Sequence, residues 1–471
     1  MTLTFAAEAY APPVPDLAER VGWPGLLGAF RRNTLEAFPR ACLDAPVVTI
    51  PLPGGRMVLL STPAGARHVL LTAADDFERL PAGRRVLGPI AGRGLVLADG
   101  EAWRHQRRVL APAFTPRTLP LMLRFVARSA EESCRRLEAG LGAPVDLRGE
   151  MQQVALDIAT TSMFSLETGP LGAEIRALIS GYLGRLGRPT VADFLLPPAW
   201  PTPSSPRRAL FRRRWLKTVR AVLAARRAQG QRQGQGQGQG QGPGQEDGMR
   251  RDAPRDLFDL LDAAHGDAPG GLLADEIGTL IVAGHETTAS TLFWACTLLA
   301  RAPAVQDALA AEARGLDLTE AGAADALPHL RLARAVAQEA LRLYPPVYVI
   351  ARRAARASVV EGVTVPAGSI VMVPTWILHR NPRWWDRPAA FDPGRFLDRP
   401  EPDRFLYLPF GAGPRICIGA QLALAEATLV LARLARDFRL ALDGDRPVLP
   451  VATTTVRPDH VPRFHLARRA G

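Results

Sequence analysis

The stretch Phe410-Gly-Ala-Gly-Pro-Arg-Ile-Cys-Ile-Gly419 decides the fold of this 471-residue chain. It holds Cys417 between glycines, two residues after Arg415 and just before an apolar helical pattern over 422–434. Free backbone N–H groups and the positive end of that helix would stabilise a thiolate at Cys417. A dinucleotide-binding loop is excluded, because its third glycine would fall at Ile416. The chemistry therefore suits a soft metal ligand.

One cysteine cannot hold zinc or an iron–sulfur cluster, because those centres need several protein ligands. It can be the axial ligand of a heme, whose porphyrin supplies the other four donors. Cys42, Cys134 and Cys296 are widely scattered and are predicted to be small buried hydrophobic residues. Their spacing fits neither a zinc motif nor a disulfide framework, so we expect a reducing, cytoplasmic location.

The composition is that of a soluble globular protein, with 47% hydrophobic and 22% charged residues, which excludes disorder along the whole chain. The net charge of +12 permits binding to nucleic acid, to an anionic membrane or to an acidic protein, and composition does not choose among them. The longest apolar run near the N-terminus, Val21 to Phe30, is interrupted by glycines and proline. It predicts neither a signal peptide nor a transmembrane anchor.

Helical periodicity outweighs strand signals several-fold. Two apolar runs flank Pro53-Gly54-Gly55 and predict a β-hairpin over 47–60, with further strands over 359–373 and from Phe438 onward. Apolar positions recur with helical spacing over 119–141, 154–164, 209–228, 257–264, 277–300 and 330–344. We expect an N-terminal extension, 1–45, packed on one domain, 46–471. The Gln-Gly tract 229–248 is predicted to be a disordered surface loop, with a domain linker as the alternative.

The predicted helix 277–300 is apolar or small except for His285 and Glu286 near its middle. A carboxylate there would cost about 3 kcal/mol in a membrane, so the helix is predicted to cross a large soluble core. Glu286 beside Thr287 is either a proton-handling acid facing a cavity or a core glutamate satisfied by a neighbour. A zinc-protease motif is excluded, because its second histidine would stand at Ala289.

Glu339 and Arg342 are three residues apart and so lie on one helix face, next to an apolar stripe. An exposed pair of this kind would contribute only about a few tenths of a kcal/mol. At the edge of a buried face the pair would instead belong to a structural network. The spacing alone leaves both possibilities open.

The stretch 410–419 resembles the signature of the cytochrome P450 family of heme-thiolate monooxygenases. The matched positions are Phe410, Gly413, Arg415, Cys417 and Gly419. The segment Ala283-Gly284-His285-Glu286-Thr287-Thr288 is similar to the family's oxygen-activating helix motif. Order and spacing agree across the C-terminal half of the chain.

Three further segments extend this resemblance. Glu339 and Arg342 resemble the family's Glu-x-x-Arg pair, and Arg395 would complete a Glu-Arg-Arg network, although Gly394 departs from the pattern. Trp103 and Arg107 resemble the helix that holds a heme propionate. Arg352 matches another propionate-binding arginine, with Arg353 as the alternative.

The resemblance implies a mostly α single-domain cytochrome P450 fold with a small β-rich lobe. It implies heme b with Cys417 as the iron ligand, Ala283 beside it, and Glu286 and Thr287 delivering protons for the activation of O2. A small apolar substrate would be hydroxylated or epoxidised, in a pocket lined from 88–97, 277–283, 345–349 and the C-terminal strands. Electrons would come from NAD(P)H through a reductase and a ferredoxin or flavodoxin to a monomeric enzyme.

Two alternatives belong to other classes of function. A peroxide-driven heme-thiolate hydroxylase or isomerase would need no reductase, but it would also have no need for the Glu286–Thr287 pair. A non-catalytic heme sensor or a nucleic-acid-binding protein would not explain a buried carboxylate beside threonines. We therefore expect a monooxygenase without a nucleic-acid partner.

Overall fold

The computed structural model describes residues 10–166, 169–197, 199–236, 256–265, 271–397 and 400–469. The α-helices in these ranges are α1 (Trp23–Arg32), α2 (Pro63–Arg67), α3 (Pro81–Ala91), α4 (Gly100–Leu110), α5 (Leu119–Ala139), α6 (Leu147–Phe164), α7 (Pro170–Gly181), α8 (Val191–Leu195), α9 (Ser205–Gly236), α10 (Leu257–His265), α11 (Leu272–Ala300), α12 (Pro303–Ala313), α13 (Ala323–Ala326), α14 (Arg331–Leu343), α15 (Thr375–Leu378) and α16 (Ala420–Asp437). The strands are β1 (Val47–Leu52), β2 (Gly55–Leu60), β3 (Phe77–Arg79), β4 (Ile350–Ala354), β5 (Ser358–Val360), β6 (Val363–Val365), β7 (Ile370–Val373), β8 (Phe438–Leu442), β9 (Pro450–Ala452), β10 (Val456–Pro458) and β11 (Phe464–Arg468). The predicted mostly α fold with a small β-rich part is confirmed.

Helix α11 is the central element of the helical part. Its 29 residues extend about 43 Å, and it begins at Leu272, before the predicted start at 277. It packs against α6, α16 and α14. A helix that is apolar on nearly all sides is stable in water only when neighbours cover it on every side. None of the described helices, α11 included, is long and apolar enough to cross a membrane.

The β-rich part is built on a five-stranded sheet in the order β1-β2-β7-β4-β3. The predicted hairpin is present as β1 and β2, with Val47 opposite Leu60 and a positive φ of 77° at Gly54 in the turn. Strands β2 and β7 are parallel, whereas β4 pairs with both β7 and β3 in antiparallel fashion. The remaining strands form the two-stranded sheets β5–β6, β9–β10 and β8–β11.

Residues 10–45 lie on the domain and contribute to its main core. Leu26 and Leu35 are fully buried in the same apolar cluster as α11 and α16. The Asn33 side chain accepts from the Ala452 N–H and donates to the Pro450 carbonyl, at 2.8 and 2.9 Å. These bonds connect the N-terminal segment to β9.

The Gln-Gly tract differs from the prediction at its start. Residues 229–236 continue helix α9, although the sequence analysis places them in a loop. Glutamine loses little side-chain freedom in a helix, so it extends an existing helix at low cost despite the glycines. Residues 237–248 of the predicted loop lie outside the described residues.

Candidate functional site

The loop before α16 presents Cys417 at one end of a closed turn. The Cys417 N–H donates to the Phe410 carbonyl at 2.9 Å, which brings the two ends of the loop together. Gly413 has a φ of +72°, and a Cβ there would overlap the carbonyl oxygen of Leu70. Gly419 is the residue that precedes α16. Glycine at 413 is therefore required both by the backbone conformation and by the close approach of a neighbouring segment.

Cys417 is the exposed one among the four free cysteines. Burial raises the pKa of Cys42, Cys134 and Cys296 to about 12, as expected for inert core thiols.

Surrounding protein also raises the pKa of Cys417, and this effect exceeds the lowering by the Gly419 N–H and by the Arg107 charge. The Gly419 N–H and the Arg107 charge act in the direction predicted for this loop, because both lower the pKa of Cys417. A metal cation bound at the loop would favour the thiolate further, because cysteine binds metals as the thiolate.

Helix α11 carries one accessible strip in its otherwise buried middle. Ala283 is exposed and Thr287, one turn later, is half-buried, whereas His285, Glu286 and Thr288 are buried. The Thr287 Oγ1 donates to the Ala283 carbonyl at 2.6 Å. These two residues are therefore the accessible part of the motif 283–288.

Glu286 lies on a different side of α11 from Thr287, because successive helical residues are about 100° apart. Its Oε1 accepts from Arg457 Nη2 at 2.7 Å and from Thr455 Oγ1 at 3.2 Å. Its buried Oε2 has no hydrogen-bond partner among the residues that the structure describes. Glu286 is thus a buried acid paired with Arg457, and its unbonded Oε2 leaves a proton-handling role open.

Glu339, Arg342 and Arg395 form one buried network. Glu339 makes two bonds with Arg342, at 2.6 and 2.7 Å, and its Oε1 also accepts from Arg395 Nε at 3.2 Å. The Glu339 and Arg342 side chains are fully buried. Arg342 donates its remaining N–H groups to the carbonyls of His379, Pro388 and Ala390 at 2.7–2.9 Å. The solvated-pair alternative is excluded for these residues.

A second arginine cluster lines a cavity of about 670 Å³. Arg79, Arg352 and Arg415 surround it with Trp103, and the Arg415 guanidinium lies 4.5 Å from the centre of the Trp103 ring. Arg79 and Arg352 stand directly opposite each other on β3 and β4, a cross-strand placement that like charges disfavour.

The positive charge of this cavity is only partly compensated. Burial, followed by the charge of Arg415, lowers the pKa of both Arg79 and Arg352 to about 10. Asp99 accepts from Arg415 and lies 3.6 Å from Arg79, and the buried Nε of Arg79 has no hydrogen-bond partner within the described ranges. The cavity therefore fits a ligand group with carboxylates, as the two propionates of heme are.

Two predicted propionate ligands are placed differently. Arg107 does not line this cavity, because its Nη1 donates to the Ile416 carbonyl at 2.7 Å, beside Cys417. Arg353 is exposed on the opposite face of β4 from Arg352, which lines the cavity. Arg79 was missed by the sequence analysis, because only the register of β3 against β4 brings it beside Arg352.

A second cavity of about 210 Å³ is almost entirely apolar. Leu97, Tyr348 and Val349 line it, as predicted, together with Thr453 and Thr454 of the C-terminal region. The predicted contribution from 277–283 is absent from the described lining of this cavity. Other lining side chains come from the N-terminal segment, α3 and α8: Phe30, Phe38, Ala82, Val86, Leu87 and Phe194. Arg79 and Arg84 line both cavities, so the two adjoin.

Comparisons with known proteins place the chain among proteins of one family. The family model described as Cytochrome P450 matches residues 31–461. The chain is 31% identical over 434 residues to cytochrome P450 97B2, chloroplastic, of Glycine max, covering 82% of this chain and 74% of the relative. It is 32% identical over 384 residues to cyclooctatin synthase of Streptomyces melanosporofaciens, covering 79% and 76%. The crystal structure of CYP175A1 from Thermus thermophilus superposes with a TM-score of 0.69 at 25% identity, covering 96% of this chain and 99% of that one.

Proposed function

Because the chain belongs to the cytochrome P450 family and is an oxidoreductase of the monooxygenase class, we propose that it inserts one atom of O2 into a small apolar substrate, using electrons from a separate protein. The observation that carries the proposal is an accessible cysteine on a glycine-shaped loop together with a cavity rich in incompletely compensated arginines. One heme would satisfy both features. Hydroxylation and epoxidation are the reactions expected of this site.

Heme b would be held by an exposed cysteine and by arginines whose charge the chain compensates only in part. Cys417 would ligate the iron, and Arg79, Arg352 and Arg415 would bind the propionates, with the Trp103 ring packed against the Arg415 guanidinium. Bound heme supplies the reduction of O2 and the oxidation of a C–H or C=C bond. The glycines of the loop let the backbone approach closely, and the Glu339 network keeps the supporting segments in place.

Helix α11 would supply the residues that transfer protons to the site. The Thr287 hydroxyl is accessible and can exchange its present acceptor, the Ala283 carbonyl, for another oxygen. Glu286 has an unbonded Oε2, and it lies beside a small cavity of about 10 Å³ that Arg148 and Arg457 also line. We assign to Glu286 the transfer of protons from that side and to Thr287 their delivery.

The substrate class follows from the apolar cavity. Its lining offers aromatic and aliphatic side chains with few hydroxyl groups, so binding would be driven by burial of apolar surface. A small substrate without charged groups is expected. Arg79 and Arg84, which close one end, have Asp99 as a carboxylate partner, and Arg79 would also bind a propionate.

The electron donor is expected to approach helix α4. The bond from Arg107 to the Ile416 carbonyl holds α4 against the cysteine loop. Arg104 and Arg108 are exposed on this helix. An acidic ferredoxin or flavodoxin, reduced by NAD(P)H through its reductase, would be steered to these charges.

The first test is the spectrum of the reduced protein with bound carbon monoxide. We expect the red-shifted Soret band of thiolate ligation, its loss in Cys417→His, and its retention in Cys296→Ser, which alters a buried thiol elsewhere. An unshifted band in the unmodified protein would exclude Cys417 as the ligand.

The second test separates the monooxygenase from a peroxide-driven enzyme. Thr287→Ala should keep heme and substrate binding but divert electrons to hydrogen peroxide, because the proton-delivering hydroxyl is removed. The ratio of product to O2 consumed measures this. An unchanged ratio, or turnover with peroxide and none with an electron donor, would favour the peroxide-driven alternative.

A further inference from the structure

The wall of the apolar cavity contains one hydroxyl group that lacks a hydrogen-bond partner. Thr453 lines the cavity and is 6% exposed, and its buried Oγ1 has no partner among the residues that the structure describes. The other lining side chain with such an atom is Arg79, whose Nε lies 3.6 Å from Asp99. Buried hydroxyl groups are usually hydrogen-bonded, so a free one in a cavity wall indicates that a bound molecule supplies the partner.

Two further hydroxyl groups lie near Thr453. The Tyr348 hydroxyl donates to the Thr453 carbonyl at 2.7 Å. Burial raises the pKa of Tyr348 to about 12, and a hydrogen bond with the Thr34 side chain opposes this rise, so the phenol is protonated at neutral pH. Thr34 and Tyr348 are buried and also line the cavity. We call Thr34, Tyr348 and Thr453 the hydroxyl cluster.

Asn33 holds together the two chain segments that carry the threonines of this cluster. Its side chain donates to the Pro450 carbonyl and accepts from the Ala452 N–H, at 2.9 and 2.8 Å. Thr34 and Thr453 each follow directly on one of these bonded residues. Groups that are fixed in place by buried hydrogen bonds lose little conformational entropy when a ligand binds.

The rest of the cavity lining offers no other free neutral polar side chain in the described structure. Thr454 also lines the cavity, but its Oγ1 already donates to the Gly187 carbonyl. Arg79 and Arg84 are charged and have Asp99 as their carboxylate partner. The remaining lining residues are apolar. Thr453 is therefore the residue at which a neutral polar group of a ligand would find an unused partner.

We propose that the hydroxyl cluster binds a single hydroxyl group of an otherwise hydrocarbon substrate, and that Thr453 determines this specificity. A hydroxyl group both donates and accepts, so it can bond to the Thr453 Oγ1 in either direction. The threonine side chain has staggered positions, and rotation between them turns Oγ1 toward a ligand.

This inference deepens the proposed function and rests on it for the reaction. The substrate would already have one oxygen atom, held at the hydroxyl cluster, and the enzyme would add a second oxygen elsewhere on the hydrocarbon part. The reaction that supplies this substrate must therefore be one that introduces the first hydroxyl group.

The test compares decane with 1-decanol, which differ by one hydroxyl group. The heme-loaded protein is equilibrated with each compound, and headspace gas chromatography measures the free concentration. Thr453→Val keeps the shape of the side chain and removes its hydroxyl. We expect this variant to bind 1-decanol about fivefold more weakly or less tightly still, and to bind decane at least as tightly as the unmodified protein does.

Two outcomes of this comparison would overturn the proposal. Equal changes for decane and 1-decanol in Thr453→Val would mean that the substitution alters the shape of the cavity rather than a contact with the hydroxyl group. Absence of 1-decanol binding to the unmodified protein would mean that the hydroxyl cluster does not accept an alcohol.

Two variants serve as controls. Thr453→Ser retains the hydroxyl and should preserve most of the affinity for 1-decanol. Thr454→Val removes a neighbouring hydroxyl that is already bonded to Gly187, so the ratio of the two affinities should stay the same. An equal change of this ratio in Thr454→Val and Thr453→Val would overturn the assignment to Thr453.

Thermal unfolding without added ligand gives a second, independent readout. Thr453→Val should not lower the melting temperature, because the hydroxyl that it removes has no partner in the described structure. Thr454→Val should lower it by roughly a few degrees, because it removes a bond. A clear decrease in Thr453→Val would mean that this hydroxyl has a structural partner, which would overturn the proposal.

These measurements need neither turnover nor an electron donor, so they can be separated from the proposed function. If the carbon monoxide spectrum lacks the band of thiolate ligation, the proposed function fails, while the effect of Thr453→Val on 1-decanol binding still tests the hydroxyl cluster. If the spectrum is as expected and Thr453→Val affects both compounds alike, only the inference about the hydroxyl cluster is wrong.

Discussion

Two arginine clusters in this protein differ in their compensation. In the first, Glu339 accepts from both Arg342 and Arg395, and backbone carbonyls take the other guanidinium N–H groups. In the second, Arg79 and Arg352 face each other across two strands, and Asp99 lies 3.6 Å from the buried Arg79 Nε, which has no hydrogen bond among the described residues. The first cluster is compensated within the chain, whereas in the second Asp99 is shared among Arg79, Arg84 and Arg415.

This difference distinguishes a network that can support the fold from a cluster that can bind a ligand. A buried charge is tolerated when its partners are present, and removing one partner exposes the full desolvation penalty. A cluster that keeps an unpaired N–H beside an opening gains its partner from a ligand. The positions of the arginines in the sequence do not show which cluster supports the fold and which can bind a ligand. In both clusters the arginines come from segments that are far apart in the chain.

The largest expected effect is on the complete cluster. Glu339→Gln would leave Arg342 and Arg395 buried without a carboxylate, so we expect a loss of about 3–5 kcal/mol in the free energy of unfolding. Chemical denaturation measures it. Glu138→Gln is the control, because its pair with Arg468 is about half exposed and should contribute less than about 1 kcal/mol. Equal effects in both variants would contradict the structural role.

Neutralising arginines of the incompletely compensated cluster should weaken heme binding without lowering the stability of the heme-free protein. Arg79→Gln with Arg352→Gln removes repulsion across the strands, so the heme-free variant should unfold no more easily than the unmodified protein. Heme should leave the variant at least about tenfold faster, which corresponds to about 1.4 kcal/mol of lost binding. Transfer of heme to an acceptor globin measures the rate. Arg353→Gln, on the exposed face of β4, should change neither quantity, and an unchanged rate in the double variant would contradict the propionate assignment.

Glu426 is a buried acid that forms no salt bridge with any residue that the structure describes. Burial raises the pKa of Glu426 to about 8, and the Thr288 hydroxyl at 3.2 Å lowers it only in part. Between its ordinary pKa of 4.5 and about 8 the folded protein binds the extra proton, so the free energy of unfolding falls as pH rises through this range.

Glu426→Gln should remove this decline and narrow the difference in melting temperature between pH 5 and pH 8 by roughly a few degrees. Glu276→Gln is the comparison variant. Burial raises the pKa of Glu276 to about 7, so the decline in stability that this residue causes should be complete at a lower pH than the decline caused by Glu426. An unmodified protein whose melting temperature rises over this range would contradict the assignment.

The smallest effect on stability is expected for exposed arginines. Arg104→Glu with Arg108→Glu should leave the melting temperature nearly unchanged, because exposed charges on α4 are screened by solvent. Electron transfer from an acidic donor should slow, with the substrate-binding spectrum unaltered, and added salt should slow the unmodified protein more than the variant. Equal rates at low salt would contradict docking at α4.

Local patterns in the sequence were sufficient for the elements that depend on near neighbours. The hairpin 47–60 follows from its turn residues, and the pairing of Glu339 with Arg342 follows from helical spacing. The exposed cysteine was identified from the glycines around Cys417. In each case, the interacting groups lie within a few residues of one another, so backbone geometry determines the contact.

The sequence by itself determined the family and the fold class and singled out Cys417, because these depend on short stretches with characteristic spacing. Only the tertiary structure decided that Arg79 joins Arg352, that Arg107 bonds to the cysteine loop, and that Glu286 pairs with Arg457, 171 residues away. Such contacts depend on strand register and helix packing. A one-residue shift in either would direct these side chains elsewhere, and no local pattern encodes that choice.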